Sequence, residues 1–210
     1  MDFKPLQYIY QPVGNVNAYT LLLLHGTGGN ERDLLPLAGT LGQGFNVLSL
    51  RGNVQEHGMP RFFRRLGMGV FDEEDVHFRT HEMVHFLKKL SANEGFDISQ
   101  LLAVGYSNGA NIAGAMLMLY PELLAGAALF RPMQPLSGLE NGFETQRQQP
   151  VFMSSGTLDG TVDPAATTAY AALLSANGFN VSTHEIATGH NLVQQDIILA
   201  AQWIQQYFSK

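Results

Sequence analysis

The sequence has no cysteine among its 210 residues. A disulfide framework, a thiolate metal site and a cysteine nucleophile are therefore all excluded. Charge is also sparse: Asp, Glu, Lys and Arg make up 14% of the chain, and 12 Lys and Arg against 18 Asp and Glu leave a formal net charge of −6. That balance gives no basic footprint for nucleic acid or an anionic membrane surface. No apolar run reaches the roughly 20 residues of a membrane span. The opening, Met1-Asp2-Phe3-Lys4-Pro5, lacks a basic stretch followed by an apolar core. These absences predict a soluble, cytoplasmic protein. Internal repeats, low-complexity tracts, charge runs and flexible linkers are missing too, so a single domain over residues 1–210 with one substantial core is expected.

Hydrophobic residues, by contrast, make up 45% of the chain and fall in short, separated runs. Seven of these suit strands: Gln7 to Tyr10, Tyr19 to Leu24, Phe45 to Leu50, Leu101 to Tyr106, Gly126 to Phe130, Val151 to Ser155 and Val181 to Ala187. Helical patterns lie between and after them, at Glu31 to Leu41, Glu73 to Asn93, Asn108 to Leu119, Pro164 to Asn177 and Leu192 to Phe208. Such alternation predicts an α/β fold with a mostly parallel sheet covered by helices on both faces. Two stretches, Arg51 to Asp72 and Arg131 to Pro150, read as long loops. Both follow strands and so emerge at strand carboxyl ends, where open α/β sheets bind ligands.

Gly105-Tyr106-Ser107-Asn108-Gly109 stands between the apolar run Leu101-Leu102-Ala103-Val104 and the helical stretch that begins at Ala110. A strand turning sharply into a helix presents a serine hydroxyl at the strand's end, and glycines flank it because a Cβ there would collide with the neighbouring strand or helix. Serine needs a base to remove its proton, and the base needs a third group to orient it. In chain order the acid follows a later strand and the histidine the last one. His190, in Thr188-Gly189-His190-Asn191, is the expected base. Asp159 and Asp163 both follow the strand Val151 to Ser155. Asp163 precedes Pro164 and is explained as a helix N-cap, which leaves Asp159 as the expected acid. His25-Gly26-Thr27-Gly28-Gly29 follows the strand ending at Leu24, and its glycines allow close backbone approach. The amides of Thr27 and Asn108 are the expected oxyanion donors, while His25 reads as a brace for that loop.

Taken together, these motifs, with Gly156-Thr157-Leu158-Asp159 and Val162, resemble the carboxylesterase and phospholipase family of small α/β hydrolases, relatives of acyl-protein thioesterases. Carried over residue by residue, Ser107 matches the family's nucleophile, Asp159 its acid, His190 its base, and Thr27 and Asn108 its oxyanion donors. Arg51-Gly52-Asn53-Val54, Met59-Pro60-Arg61-Phe62-Phe63-Arg64-Arg65 and Val70-Phe71-Asp72-Glu73-Glu74-Asp75 look like the bacterial quinone- or catechol-stress subgroup. Asn108 departs from the glutamine common in the family, and Asp163 stands where proline often follows the valine. The resemblance implies an α/β-hydrolase fold that acts on carboxylic esters without a cofactor. It is compatible with a homodimer, but no sequence feature specifies an interface.

A sheet that uses nearly all of the chain leaves no room for a helical cap domain, so the site should be open and suited to small or short-chain esters. The same machinery serves acyl-thioesters, lysophospholipids and C–C bond hydrolysis. A module that only binds a small molecule is the remaining alternative. Phe62, Phe63, Met68, Phe71 and Met133 are candidate walls of the site, or core beneath their loops. At least one of Arg61, Arg64 and Arg65 facing the site would select a substrate carrying a carboxylate; solvated or salt-bridged arginines are the alternative. His77, His81 and His85 share a helix face, but serine chemistry needs no metal and none is expected.

Overall fold

A computed structural model describes residues 3–139 and 142–209. Met1 and Asp2, part of the amino-terminal stretch considered above, and residues 140 and 141 of the second expected loop lie outside them. The chain runs β1 (Gln7–Gln11), β2 (Thr20–Leu24), α1 (Leu35–Leu41), β3 (Asn46–Arg51), β4 (Val54–Glu56), β5 (Met59–Arg61), β6 (Arg65–Gly67), β7 (Val70–Phe71) and α2 (Glu73–Glu94). It continues through β8 (Leu101–Tyr106), α3 (Asn108–Leu119), β9 (Gly126–Phe130), β10 (Pro150–Gly156), α4 (Pro164–Ala176), β11 (Asn180–Ile186) and α5 (Gln194–Phe208).

Seven strands form one sheet in the order β1-β3-β2-β8-β9-β10-β11, and only β1 pairs antiparallel, with β3. Every residue of β2 is buried, because its side chains alternate between two cores. Leu22 and Leu24 join the cluster formed with α2, α3 and α4, including Leu87, Ile112, Met116 and Tyr170. Leu21 and Leu23 join the opposite cluster with Ala38 and Leu41 of α1 and Ile197, Trp203 and Ile204 of α5. Strand alternation at period 2 thus fills both layers from a single leucine run. Parallel pairing also puts the carboxyl ends of β2, β8, β9, β10 and β11 on one edge. Among the described residues, no helix is long and apolar enough to cross a membrane.

Two expectations need correction. The helix expected from Glu31 begins only at Leu35, with Pro36 in its first turn, because proline has no N–H to donate to the carbonyl four residues back and is tolerated only in the first helical turn. The stretch Arg51 to Asp72, read as a long loop, holds two small hairpins, β4–β5 and β6–β7. Their strands of two or three residues are too short to show a period in sequence.

Candidate active site

Ser107 sits between β8 and α3 with φ 52° and ψ −113°, a conformation costly for a residue with a side chain. Its neighbours hold it there. The Ser107 N–H donates to the carbonyl of Phe130 (2.9 Å), and its own carbonyl accepts from Asn111 N–H at the start of α3 (2.9 Å). A Cβ on Gly105 would lie 2.5 Å from the carbonyl oxygen of Gly109, and one on Gly109 would run into the carbonyl of Leu24. Both glycines are therefore required by close approach of the backbone.

The structure brings three of the expected residues into one chain of hydrogen bonds. His190 Nε2 lies 2.9 Å from Ser107 Oγ, and His190 Nδ1 lies 2.8 Å from Asp159 Oδ2. This is the tautomer arrangement in which Nδ1–H donates to the carboxylate and Nε2 accepts from the hydroxyl. The other oxygen of Asp159 accepts from the amides of Thr161 (2.8 Å) and Val162 (3.1 Å). Burial alone would raise the Asp159 carboxyl, but the hydrogen bonds from His190, Thr161 and Val162 outweigh it and hold it below its ordinary value of 3.8. Asp163 instead caps α4, accepting from Ala165 N–H at 2.9 Å.

Arg131, which no sequence motif singles out, builds the floor under His190. It is fully buried with φ 54°. Its guanidinium pairs with the equally buried Asp196 through two contacts of 2.8 Å and donates to Ser154 Oγ (2.9 Å). It also donates to the carbonyls of Gly189 (3.3 Å) and Asn191 (3.1 Å), the residues on either side of His190. All five guanidinium N–H groups are thus matched by five acceptors.

The loop after β2 is braced from the first hairpin. Arg61 Nη1 donates to Thr27 Oγ1 (2.7 Å), and Gly28 N–H donates to the carbonyl of Pro60 (2.9 Å). Asn108 Oδ1 accepts from Phe62 N–H at 2.7 Å. The side chain at this position, expected only to supply an amide, therefore ties the nucleophile turn to the hairpin. The N–H of Asn108 belongs to the first turn of α3, where no intrahelical acceptor exists. That of Thr27 meets no protein acceptor among the described residues. His25 is buried, with Nδ1 2.6 Å from the carbonyl of Gly26 and Nε2 accepting from Gly52 N–H, and burial lowers its pKa. It braces this loop as a neutral ring.

A cleft of about 50 Å³ beside Ser107 is lined by Thr27, Arg61, Arg65, Phe71, Asn108 and Met133, among others. Three expected lining residues are not there. Phe63 is fully buried, packed edge-on against Phe71 at 5.1 Å, because the hairpin turns it into the core. Arg64 points to solvent and pairs with Asp72 (3.0 Å) and Asp75 (3.8 Å) at the start of α2. Phe62 is likewise core, against His25. A larger cavity of about 720 Å³ lies around the amino-terminal ends of β2 and β3 and beside α5, and among the described residues no acid, histidine, lysine or arginine lines it. It offers nothing for acyl transfer. On α2, His81 contacts Tyr120 and His85 contacts Phe3.

The family model described as phospholipase/carboxylesterase matches residues 9–208. The chain is 39% identical to Bacillus subtilis MhqD over 201 residues, covering 96% of this chain and 98% of that protein. It superposes on the Bacillus cereus carboxylesterase with a TM-score of 0.93 at 42% identity, over 97% and 95% of the two chains. YahD, solved with malic acid, gives a TM-score of 0.90 at 27% identity, over 96% and 99%.

Proposed function

Since this chain belongs to the phospholipase/carboxylesterase family of α/β hydrolases and is an ester-hydrolysing enzyme, we propose that it cleaves small carboxylic esters through an acyl-enzyme on Ser107. The observation that carries this reading is His190, bonded at one nitrogen to Ser107 Oγ and at the other to Asp159.

Ser107 Oγ attacks the ester carbonyl carbon as His190 Nε2 takes its proton. The amides of Thr27 and Asn108 receive the charge that develops on the carbonyl oxygen, each worth about 3 kcal/mol. Collapse of the tetrahedral intermediate breaks the bond to the leaving alcohol, which departs with the proton from His190. Water then repeats the sequence on the acyl-enzyme, giving the carboxylic acid and free Ser107. Throughout, Asp159 fixes the His190 tautomer and offsets the charge of the imidazolium. A cleft of about 50 Å³ favours short acyl groups. Malic acid, the molecule in the YahD structure, is of that modest scale.

A panel of p-nitrophenyl esters of rising chain length, run beside acyl-thioesters, tests the reading. Ser107→Ala should lower kcat by about 10⁴- to 10⁶-fold and abolish labelling by a fluorophosphonate probe. Unlabelled Ser107 in the folded protein, with no turnover of any member, would point to a binding module instead.

A further inference from the structure

Ester hydrolysis by Ser107 requires no positive side chain at the substrate, yet three arginines line the cleft beside it, Arg131 and the pair Arg61 and Arg65, and among the described residues no Asp or Glu does. Glu56 stands behind the pair, with Oε1 2.9 Å from Arg65 Nε and Oε2 3.4 Å from Arg61 Nη1. One carboxylate shared between two guanidiniums leaves a positive charge unbalanced. Asp159, the remaining carboxylate of the site, is buried behind His190 and commits its oxygens to His190, Thr161 and Val162. Arg131 also reaches the cleft lining, but Asp196 neutralises it and all its donors are taken.

Exposure separates the two arginines held by Glu56. Arg61 is almost wholly buried, with Nε donating to the carbonyl of Phe63 and Nη1 to Thr27 and Glu56. Arg65 keeps about a quarter of its side chain exposed, at 26%. Its Nε is held by Glu56 and its Nη1 contacts only the sulfur of Met68, a weak acceptor. Its Nη2 makes no hydrogen bond among the described residues. Glu56 therefore fixes the direction of a guanidinium whose far side is unused. Such a preorganised fork is suited to a carboxylate, which accepts two parallel N–H bonds. Met68, Phe71 and Met133 offer apolar surface for the carbon chain between that carboxylate and the ester.

We propose that Arg65 is a specificity residue that receives a carboxylate carried by the substrate, so that the enzyme selects small anionic esters; this rests on the serine-hydrolase reading above. The overall charge of −6 repels such substrates at long range, so the selection is made in the cleft.

Two matched pairs of esters test it. Mono-p-nitrophenyl glutarate against p-nitrophenyl valerate puts the carboxylate on the acyl half, and 4-acetoxybenzoate against its methyl ester puts it on the alcohol half. Rates are corrected with Ser107→Ala. In at least one pair the anionic member should be favoured in kcat/KM by about tenfold or more, and Arg65→Gln should remove about tenfold of that ratio. A purely structural role for Arg65 would lower both members together and leave the ratio unchanged. A ratio near one in both pairs, or one that survives Arg65→Gln, overturns the proposal, while turnover of the neutral esters leaves the serine mechanism standing. If neither pair is turned over, calorimetric titration of glutarate into the protein decides. Binding that weakens about tenfold in Arg65→Gln supports the anion site. No binding, or binding indifferent to the substitution, overturns it.

Discussion

Arg131 and Asp196 are both fully buried, yet their pairing reaches beyond stability because the same guanidinium holds the carbonyls on either side of His190. Arg131→Met leaves Asp196 as an unpaired buried charge and should cost about 3–5 kcal/mol. Arg131→Met with Asp196→Asn removes both charges and should recover much of that loss in thermal denaturation. It should not recover kcat/KM, because the Gly189 and Asn191 carbonyls stay unheld; full recovery of both would reduce Arg131 to a structural role. Asp159 carries the pH dependence. Its folded pKa is depressed, so the unfolded chain binds the proton more readily and folding gains stability as pH rises. That gain is complete above the ordinary carboxylate value of 3.8 and is lost as pH falls through the lower folded value. The stability difference between the wild type and Asp159→Asn should therefore shrink as pH drops through this range in denaturant titrations. A difference that does not change with pH would contradict the assignment. At neutral pH the same substitution should reduce kcat by roughly 10⁴-fold through the wrong His190 tautomer.

At the scale of single elements, Asp159 and Asp163 stand four residues apart, with one on the histidine and the other on a helix end. Asp163→Ala should cost about 1 kcal/mol as a lost N-cap of α4 and leave kcat/KM unchanged; a large kinetic loss would mean that the cap also sets the Asp159 turn. Sequence patterning carried the sheet well, since β2, β8, β9 and β10 are short apolar runs, and runs of that length set between helical patterns fit strands buried on both faces. It carried the nucleophile turn too, because glycines at fixed spacing report close backbone approach. What patterning could not carry is whatever depends on distant partners. Arg131 meets residues 23 to 65 positions away, and nothing beside it in sequence announces them. Phe62 and Phe63 are adjacent, a pairing that in a strand points to opposite sides, yet the irregular backbone after β5 buries both. An aromatic in a loop therefore reads equally well as wall or core. Of the three neighbouring arginines, only their partners, Glu56 for Arg61 and Arg65 and Asp72 for Arg64, reveal which face the cleft.

Over the whole molecule, the sheet does two separable things. Its parallel strands gather loops from residues 25 to 190 along one edge, which is how side chains 83 positions apart come within hydrogen-bonding distance. Its backbone also forms a wall between two apolar layers, one under α2, α3 and α4 and the other under α1 and α5. We propose that residues 1–210 nonetheless fold as one cooperative unit, because every central strand feeds both layers. Leu87 on α2 and Ile204 on α5 are buried in opposite layers. Leu87→Ala and Ile204→Ala should each cost about 2–5 kcal/mol. With the sheet between them and no shared partners, the double variant should be additive within about 0.5 kcal/mol. Both substitutions should shift the same urea transition, whether it is followed by Trp203 fluorescence from the α5 layer or by far-UV circular dichroism from the whole chain. Two transitions, each moved by only one substitution, would mean that the layers unfold separately and that the wall isolates them mechanically as well as energetically. A single transition with strong non-additivity would mean instead that strain crosses the sheet. In that case, core substitutions on either face should also disturb the 2.9 Å contact between Ser107 and His190 at its edge, and kcat would fall along with stability.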